Sequence, residues 1–198
     1  MRKLVYYIAV SIDGRIAGPG GEVDFFPQGE GADAAAYMGW VNQRYPETVP
    51  TQYRSPAGLV DVPNRRFDTV VMGLDTYRVV RDQGASSPYG HLHQYVVSRS
   101  IARIEELEVE LARDAIALVR RLKREDGLDI WLCGGGRLAG VLLPEIDELI
   151  IKRYPVLAGA GPSLVDGDFR PTEFAATDSM SFSNGVGITW FERRAEPA

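Results

Sequence analysis

The chain has 198 residues, 45% of them hydrophobic and 25% charged, a composition that suits a single α/β-sized domain spanning residues 1–198. Its net charge of −5 argues against a general nucleic-acid or anionic-membrane surface, and no apolar run approaches the ~18 residues of a membrane span. The lone cysteine, Cys133, excludes an intramolecular disulfide and fits a reducing, cytoplasmic setting.

Leu4–Val10 is apolar throughout, the pattern of a strand covered on both faces. Its two tyrosines, and the run into Ser11–Arg15 without a small-residue cleavage site, favour a buried first strand over a signal segment. Gly18–Gly31 is glycine-rich with two prolines and reads as a loop. Within it Glu22 and Asp24 stand two apart beside Phe25 and Phe26. A carboxyl held against apolar walls gains proton affinity and can serve a proton-transfer step; a solvated loop end is the other reading. Ala34–Arg44 has a helical pattern, whereas Pro46–Arg66 holds four prolines and little periodicity.

Thr69–Met72 and Tyr95–Val97 are short strand-type runs. His91 and His93, the only histidines, lie in a turn between them without a Cys or His cluster, so no metal site is expected. Asp114–Arg124 reads as a helix with Asp114 as N-cap and Ile116, Val119 and Leu122 on one face.

The strand-type run Ile130–Cys133 then enters Gly134, Gly135 and Gly136, and a helix-patterned segment, Leu138–Leu143, stops at Pro144. Consecutive glycines let a backbone approach a ligand closely, and the helix start behind them offers free N–H groups to an anion. Gly134, Gly136 and Ala139 match the dinucleotide fingerprint. So do Gly29, Gly31 and Ala34, which have no strand before them. About 20 positions on, where an ordinary Rossmann site places an acid for the ribose, the chain has Arg153, Tyr154 and Pro155. A nucleotide fold of another kind, or a purely structural turn, therefore remains. No Walker sequence or nucleophile elbow occurs, and Cys133 reads as a small core residue.

Leu149–Ile151 is a further strand-type run. Glu173–Ser183 and Gly187–Arg194 are extended stretches joined by Asn184 and Gly185, a hairpin signal. Strands alternating with helices predict a three-layer α/β sandwich with a mostly parallel central sheet and an antiparallel C-terminal strand pair.

Five short motifs occur in one order: Val10–Gly18 (VSIDGRIAG), Val71–Tyr77 (VMGLDTY), Val96–Arg99 (VVSR), Ile130–Gly136 (IWLCGGG), and Asp147–Leu149 followed by Pro155–Gly161 (PVLAGAG). Together they resemble the dihydrofolate reductase-like superfamily, and within it the reductase domain of bacterial riboflavin biosynthesis and its stand-alone relatives. The resemblance implies a mostly parallel sheet and an extended NADPH across the strand ends, with a homodimeric assembly. It places the backbone around Ala9, Val10, Ile16 and Ala17 at the nicotinamide. Gly73 and Thr76 would hold one side of the pyrophosphate, with Gly134, Gly135, Gly136, Arg137 and Leu138 on the other. Ser98 and Arg99 would reach the adenosine 2′-phosphate, where a guanidinium can pair with a dianion.

On the substrate side the resemblance points to Glu22 or Asp24 as the acid that orients the heterocycle and helps supply a proton. Asp13 would either hold its loop or meet the substrate, and Arg153 would complete the substrate site. Many relatives carry Arg or Lys after the glycine at position 73, whereas this chain has Leu74 and Asp75. One basic contact to the phosphates is then missing, and Asp75 would repel a dianion. The zinc ligands of the bifunctional riboflavin enzymes are absent from this sequence. The expected activity is NADPH-dependent reduction of a small heterocycle, most like a ribosylamino-pyrimidine; dihydrofolate reductase and a non-catalytic nucleotide-binding protein are the alternatives.

Overall fold

Alternation along β1 (Leu4–Val10) explains why the first strand is apolar at nearly every position. Val5 and Tyr7 enter one hydrophobic core, Leu4 and Tyr6 the other, on opposite faces of the same strand. β1 is a central strand, pairing in parallel with β5 (Asp129–Gly134) on one side and β6 (Glu148–Arg153) on the other. The structure, a computed structural model, describes residues 1–82 and 87–194.

Among the described residues the sheet has eight strands, in the order β4-β3-β2-β5-β1-β6-β8-β7. Here β2 is Phe67–Gly73, β3 His93–Val97, β4 Val109–Ala112, β7 Phe174–Ser181 and β8 Gly187–Arg193. Among these strands the pairings of β8, with β6 and with β7, are antiparallel and the others parallel. The hairpin turns at Ser183–Gly185, where Phe182 and Val186 pair and Gly185 takes φ +84°. That geometry is a three-residue loop with a left-handed glycine, which the Asn184–Gly185 pair supplies.

Helices α1 (Gly31–Arg44) and α3 (Leu74–Asp82) cover one face through Tyr37, Val41 and Tyr77. α4 (Ala115–Leu122) and α5 (Gly136–Leu142) cover the other through Leu118, Val119, Leu122, Leu138 and Leu142. Asp114 caps α4, its Oδ1 accepting from the Ala117 N–H at 2.9 Å. The buried stripe of α4 is Ala115, Leu118, Val119 and Leu122, with Ile116 only partly buried, so the face lies one step round from the expected one. The helix also ends at Leu122 rather than Arg124.

Two segments depart from expectation. β4 carries no strand pattern of its own; four residues at one margin of the sheet are too few for one. Pro46–Arg66 is ordered by buried charge rather than by periodicity. Glu47, fully buried, accepts from the N–H groups of Arg65 (3.2 Å), Arg66 (2.8 Å) and Phe67 (2.9 Å), tying the segment to the start of β2. Arg54 donates to the carbonyls of Pro46 (2.7 Å), Leu59 (2.6 Å) and Val62 (3.1 Å), and the short helix α2 (Thr51–Arg54) forms around it.

Candidate functional site

β2 and β5 are neighbours whose connections leave in opposite directions, β2 toward β3 and β5 across β1 toward β6. Open α/β sheets bind ligands in the crevice beyond such a divergence, at the C-terminal strand ends. A cleft of about 1900 Å³ lies there. The first turns of α3 and α5 meet at this crevice from opposite faces of the sheet. Gly73, at the end of β2, faces the turn after β5: a Cβ on it would lie 3.7 Å from the Gly134 carbonyl and the Gly135 nitrogen. The Gly134–Gly135 peptide is cis.

The three glycines play three different parts. Gly134 is buried beneath the cleft with φ +123°. Gly135 is extended, at φ −89°, and a Cβ there would meet Thr76 Oγ1 at 3.4 Å and Ile16 at 4.0 Å, with open cleft beyond. Gly136 is already in contact with its own chain, since a Cβ would lie 2.1 Å from the Ser163 carbonyl oxygen. Its carbonyl accepts from the Asp166 N–H at 3.0 Å, which lays the segment around Asp166 along α5. The expectation that Gly136 is bare for a ligand is therefore corrected: its missing side chain admits that segment.

Ala9, Ile16, Ala17, Gly73, Thr76, Ser98, Arg99, Gly135, Gly136, Arg137 and Leu138 all line the cleft. Val10 and Gly134 do not: the Val10 carbonyl accepts from the Tyr154 N–H at 2.8 Å, between β1 and the end of β6, and Gly134 is buried beneath the lining. Val141, on α5 between the buried Leu138 and Leu142, is 54% exposed at the cleft.

Positive charge gathers along one arm of the cleft. Arg99 is exposed, and the turn that carries it is held by Arg113, whose guanidinium donates to the carbonyls of Ser98 and Ala102, both at 2.9 Å. Ser98 Oγ accepts from the Ser100 N–H at 3.2 Å. Asp75 lies 3.8 Å from Arg78, one turn along α3, and Arg78 itself lines the cleft. The acid expected to repel a phosphate thus has a cation beside it, and Arg78 stands one helical turn beyond Leu74, where many relatives carry Arg or Lys. Sequence reasoning missed both Arg78 and Arg113.

The acids divide. Glu22 lines the cleft, exposed, with Oε2 accepting from the Gly20 N–H at 2.8 Å. Asp24 is exposed and outside the cleft lining. Neither has the apolar enclosure on which the proton-transfer argument rested, because Phe26 turns inward onto Tyr154 (centroids 4.9 Å apart) instead of walling the carboxylates. Asp13 is a loop holder. It accepts from Ser11 Oγ (2.6 Å) and from the N–H groups of Ala158 (2.9 Å) and Gly159 (2.8 Å). The Ser11 hydroxyl and these backbone donors lower its pKa to about 2. These contacts support the loop-holding one of its two expected roles, and Asp13 is outside the cleft lining.

Arg153 is exposed and outside the cleft lining, while its neighbours Lys152 and Tyr154 both face the cleft. The period of two along β6 explains the miss by one position. Lys152 pairs in register with Ala9, and its Nζ lies 4.2 Å from the centre of the Tyr7 ring. Cys133 and Tyr154 act on it, Tyr154 being hydrogen-bonded to Tyr37 Oη at 2.6 Å and Tyr89 standing behind the Cys133 thiol. Burial lowers the Lys152 pKa and pushes the Cys133 thiol up to about 12, so the thiol stays protonated. A sequence signal existed: Lys152 stands two after the buried Ile150 and two before the buried Tyr154, on one strand face.

Comparison with known proteins agrees with this geometry. The family model of the RibD C-terminal domain matches residues 2–188. The uncharacterized Bacillus subtilis protein YwjB is 31% identical over 190 residues, covering 94% of this chain and 96% of its own length. A second B. subtilis protein, YyaP, is 25% identical over 187 residues, covering 93% and 92%. Among solved structures, a Shewanella sp. PV-4 protein assigned to riboflavin biosynthesis superposes with a TM-score of 0.68 at 23% identity, over 98% of this chain and 100% of that one. The Thermotoga maritima diaminohydroxyphosphoribosylaminopyrimidine deaminase/5-amino-6-(5-phosphoribosylamino)uracil reductase superposes with a TM-score of 0.63 at 14% identity. That match spans 98% of this chain but 57% of the Thermotoga chain. The divergent strand connections, the cleft above them and the match across nearly the whole length lead to one statement: the chain belongs to the RibD C-terminal domain family and has its dihydrofolate reductase-like fold.

Proposed function

We propose that the protein is an NADPH-dependent reductase acting on a C=N or masked carbonyl of a small heterocycle, of the ribosylamino-pyrimidine type. The observation that carries the reading is the approach of Gly73 to the Gly134–Gly135 turn beneath an open cleft at the sheet's divergence.

The residues present fit an extended dinucleotide. Gly135 leaves room for a diphosphate beside Thr76, whose hydroxyl can donate to it. Arg99, on the turn that Arg113 holds, would take the 2′-phosphate, and Arg78 adds a cation along the same arm. Ala9, Ile16 and Ala17 offer a small, apolar wall for the nicotinamide. When bound, NADPH supplies a hydride. The chain's own contribution is positioning: it stacks the two rings and excludes water between the first strand and the loops Gly18–Gly31 and Pro46–Arg66. Of the two acids Glu22 is the one assigned to the heterocycle's amidine edge, because it lines the cleft and Asp24 does not. Dihydrofolate is the weaker candidate substrate, since neither acid has the apolar surroundings that favour protonating a pterin ring.

Loss of NADPH absorbance on adding a panel of ribosylamino-pyrimidines tests the reading, with dihydrofolate as the competing substrate. Oxidation no faster than in the absence of substrate, together with no thermal protection by NADPH, rejects it. Thermal protection without turnover across the panel leaves the non-catalytic nucleotide-binding alternative.

A further inference from the structure

The chain contains three lysines, and they sit in different company. Lys3 pairs with Glu148 at 2.5 Å and Glu192 at 3.4 Å. Lys123 pairs with Asp147 at 2.6 Å and with Glu145. Lys152 is half-buried at the floor of the cleft and has no carboxylate within ion-pair distance among the described residues. The groups facing it are the Tyr7 ring on β1, Cys133 on β5, with Tyr89 behind the thiol, and Tyr154 on its own strand. The carboxylates that line the cleft, Glu22, Asp75, Asp114 and Asp166, belong to other elements.

Burying an ammonium without a counter-ion opposes folding, so its presence here calls for a reason outside the fold. A structural lysine could have pointed to the other face of β6, where Arg153 is exposed. Lys152 instead lies beside Ala9, in register, at the wall assigned to the nicotinamide.

We infer that Lys152 is the proton donor of the reduction, delivering a proton from Nζ to the heteroatom of the substrate's C=N or C=O. The inference rests on the reductase reading above and names the acid that reading leaves open. When bound, NADPH would supply a hydride to the carbon, and the π pair would move to nitrogen or oxygen. That atom takes one proton from the Lys152 ammonium, leaving the neutral amine, which regains a proton from water. The C=X bond would thus be reduced by two electrons, both of them supplied by NADPH. Burial, opposed only by the Tyr7 ring and the weak acids Tyr154 and Cys133, lowers the proton affinity of the amine, which brings it closer to the range where a general acid works near neutral pH.

Two measurements test this. Lys152→Met should lower kcat by on the order of 10²- to 10⁴-fold while NADPH still protects the fold, and Lys152→Arg should not restore turnover, because a guanidinium does not release its proton. The wild-type kcat should fall as pH rises through the Lys152 ionisation, and that limb should vanish in Lys152→Met. Full turnover in Lys152→Arg would reduce Lys152 to a fixed charge and overturn the proposal. The second measurement needs no turnover: an amine-reactive label at neutral pH, followed by peptide mass mapping. Lys152 should react faster than the ion-paired Lys3 and Lys123 and be shielded by NADPH. Labelling of Lys152 no faster than of Lys3, without shielding, overturns the inference even if no substrate is turned over. Fast, shielded labelling without turnover on any heterocycle retains the reactive lysine and rejects the reductase reading instead.

Discussion

The glycine turn allows the cofactor site and the fold to be perturbed separately. Gly135→Val places a branched side chain on extended backbone that any L-residue adopts, with its Cβ in ordinary contact with Thr76 and Ile16, so the rest of it projects into the cleft. Folding stability should change by less than about 1 kcal/mol. Gly136→Ala does the opposite: its Cβ would stand 2.1 Å from the Ser163 carbonyl, and that backbone must move. Such overpacking costs on the order of 1–3 kcal/mol, or roughly 2–12 °C in Tm for a chain of this length. NADPH at about 100 times its Kd should add ~2.7 kcal/mol to the wild type, a rise of roughly 5–10 °C. A 100-fold weaker site leaves only ~0.4 kcal/mol at the same concentration, near 1 °C. A thermal melt with and without NADPH therefore separates the two variants. Gly135→Val should start near the wild-type Tm and lose its protection; Gly136→Ala should start low and keep a larger share of it. Wild-type protection in folded Gly135→Val would show that the turn is only a turn, and the site would have to be sought elsewhere.

Arg99→Ala should raise the Kd for NADPH by about tenfold or more and leave that for NADH unchanged, as expected for the loss of a charged hydrogen bond worth ~1.5–3 kcal/mol; equal losses for both cofactors in a fluorescence titration would remove Arg99 from the 2′-phosphate. Glu22→Gln should reduce turnover without weakening NADPH, whereas Asp24→Asn should leave steady-state rates unchanged, and the reverse ranking would place the loop differently. Asp13 has a folded pKa of about 2, below the ~3.9 of an unfolded Asp, so its stabilising contribution is present above about pH 4 and is lost as pH falls from there toward 2. Asp13→Asn should accordingly flatten that part of the acid-unfolding curve, measured by circular dichroism, and an unchanged curve would mean the Ser11, Ala158 and Gly159 bonds do not depend on the charge.

Local pattern carried far in this chain because its central elements have strong periodic signals. Continuous apolarity named β1 as doubly covered, Asp114 announced the start of α4, and Asn184 with Gly185 announced the hairpin. The strand–glycine–helix passage at Ile130–Leu143 marks the cleft by local pattern alone. The motif order supplied the rest of the family's frame.

What the sequence left open was decided by contacts between residues distant in the chain. Pro46–Arg66 has no period because Glu47 and Arg54, buried charges satisfied by backbone groups, organise it. Glu22 and Asp24 look alike in the sequence, yet only one reaches the cleft, because Phe26 packs inward on Tyr154. Gly136 looks as free as Gly135, but the Ser163 backbone occupies the space its side chain would need. Lys152 rather than Arg153 faces the cleft because β6 lies in register with β1, pairing Lys152 with Ala9, and adjacent side chains on a strand point to opposite faces. Composition and periodicity determine which segments are buried and of what type; register and packing across the sheet determine which of two neighbouring residues meets the ligand.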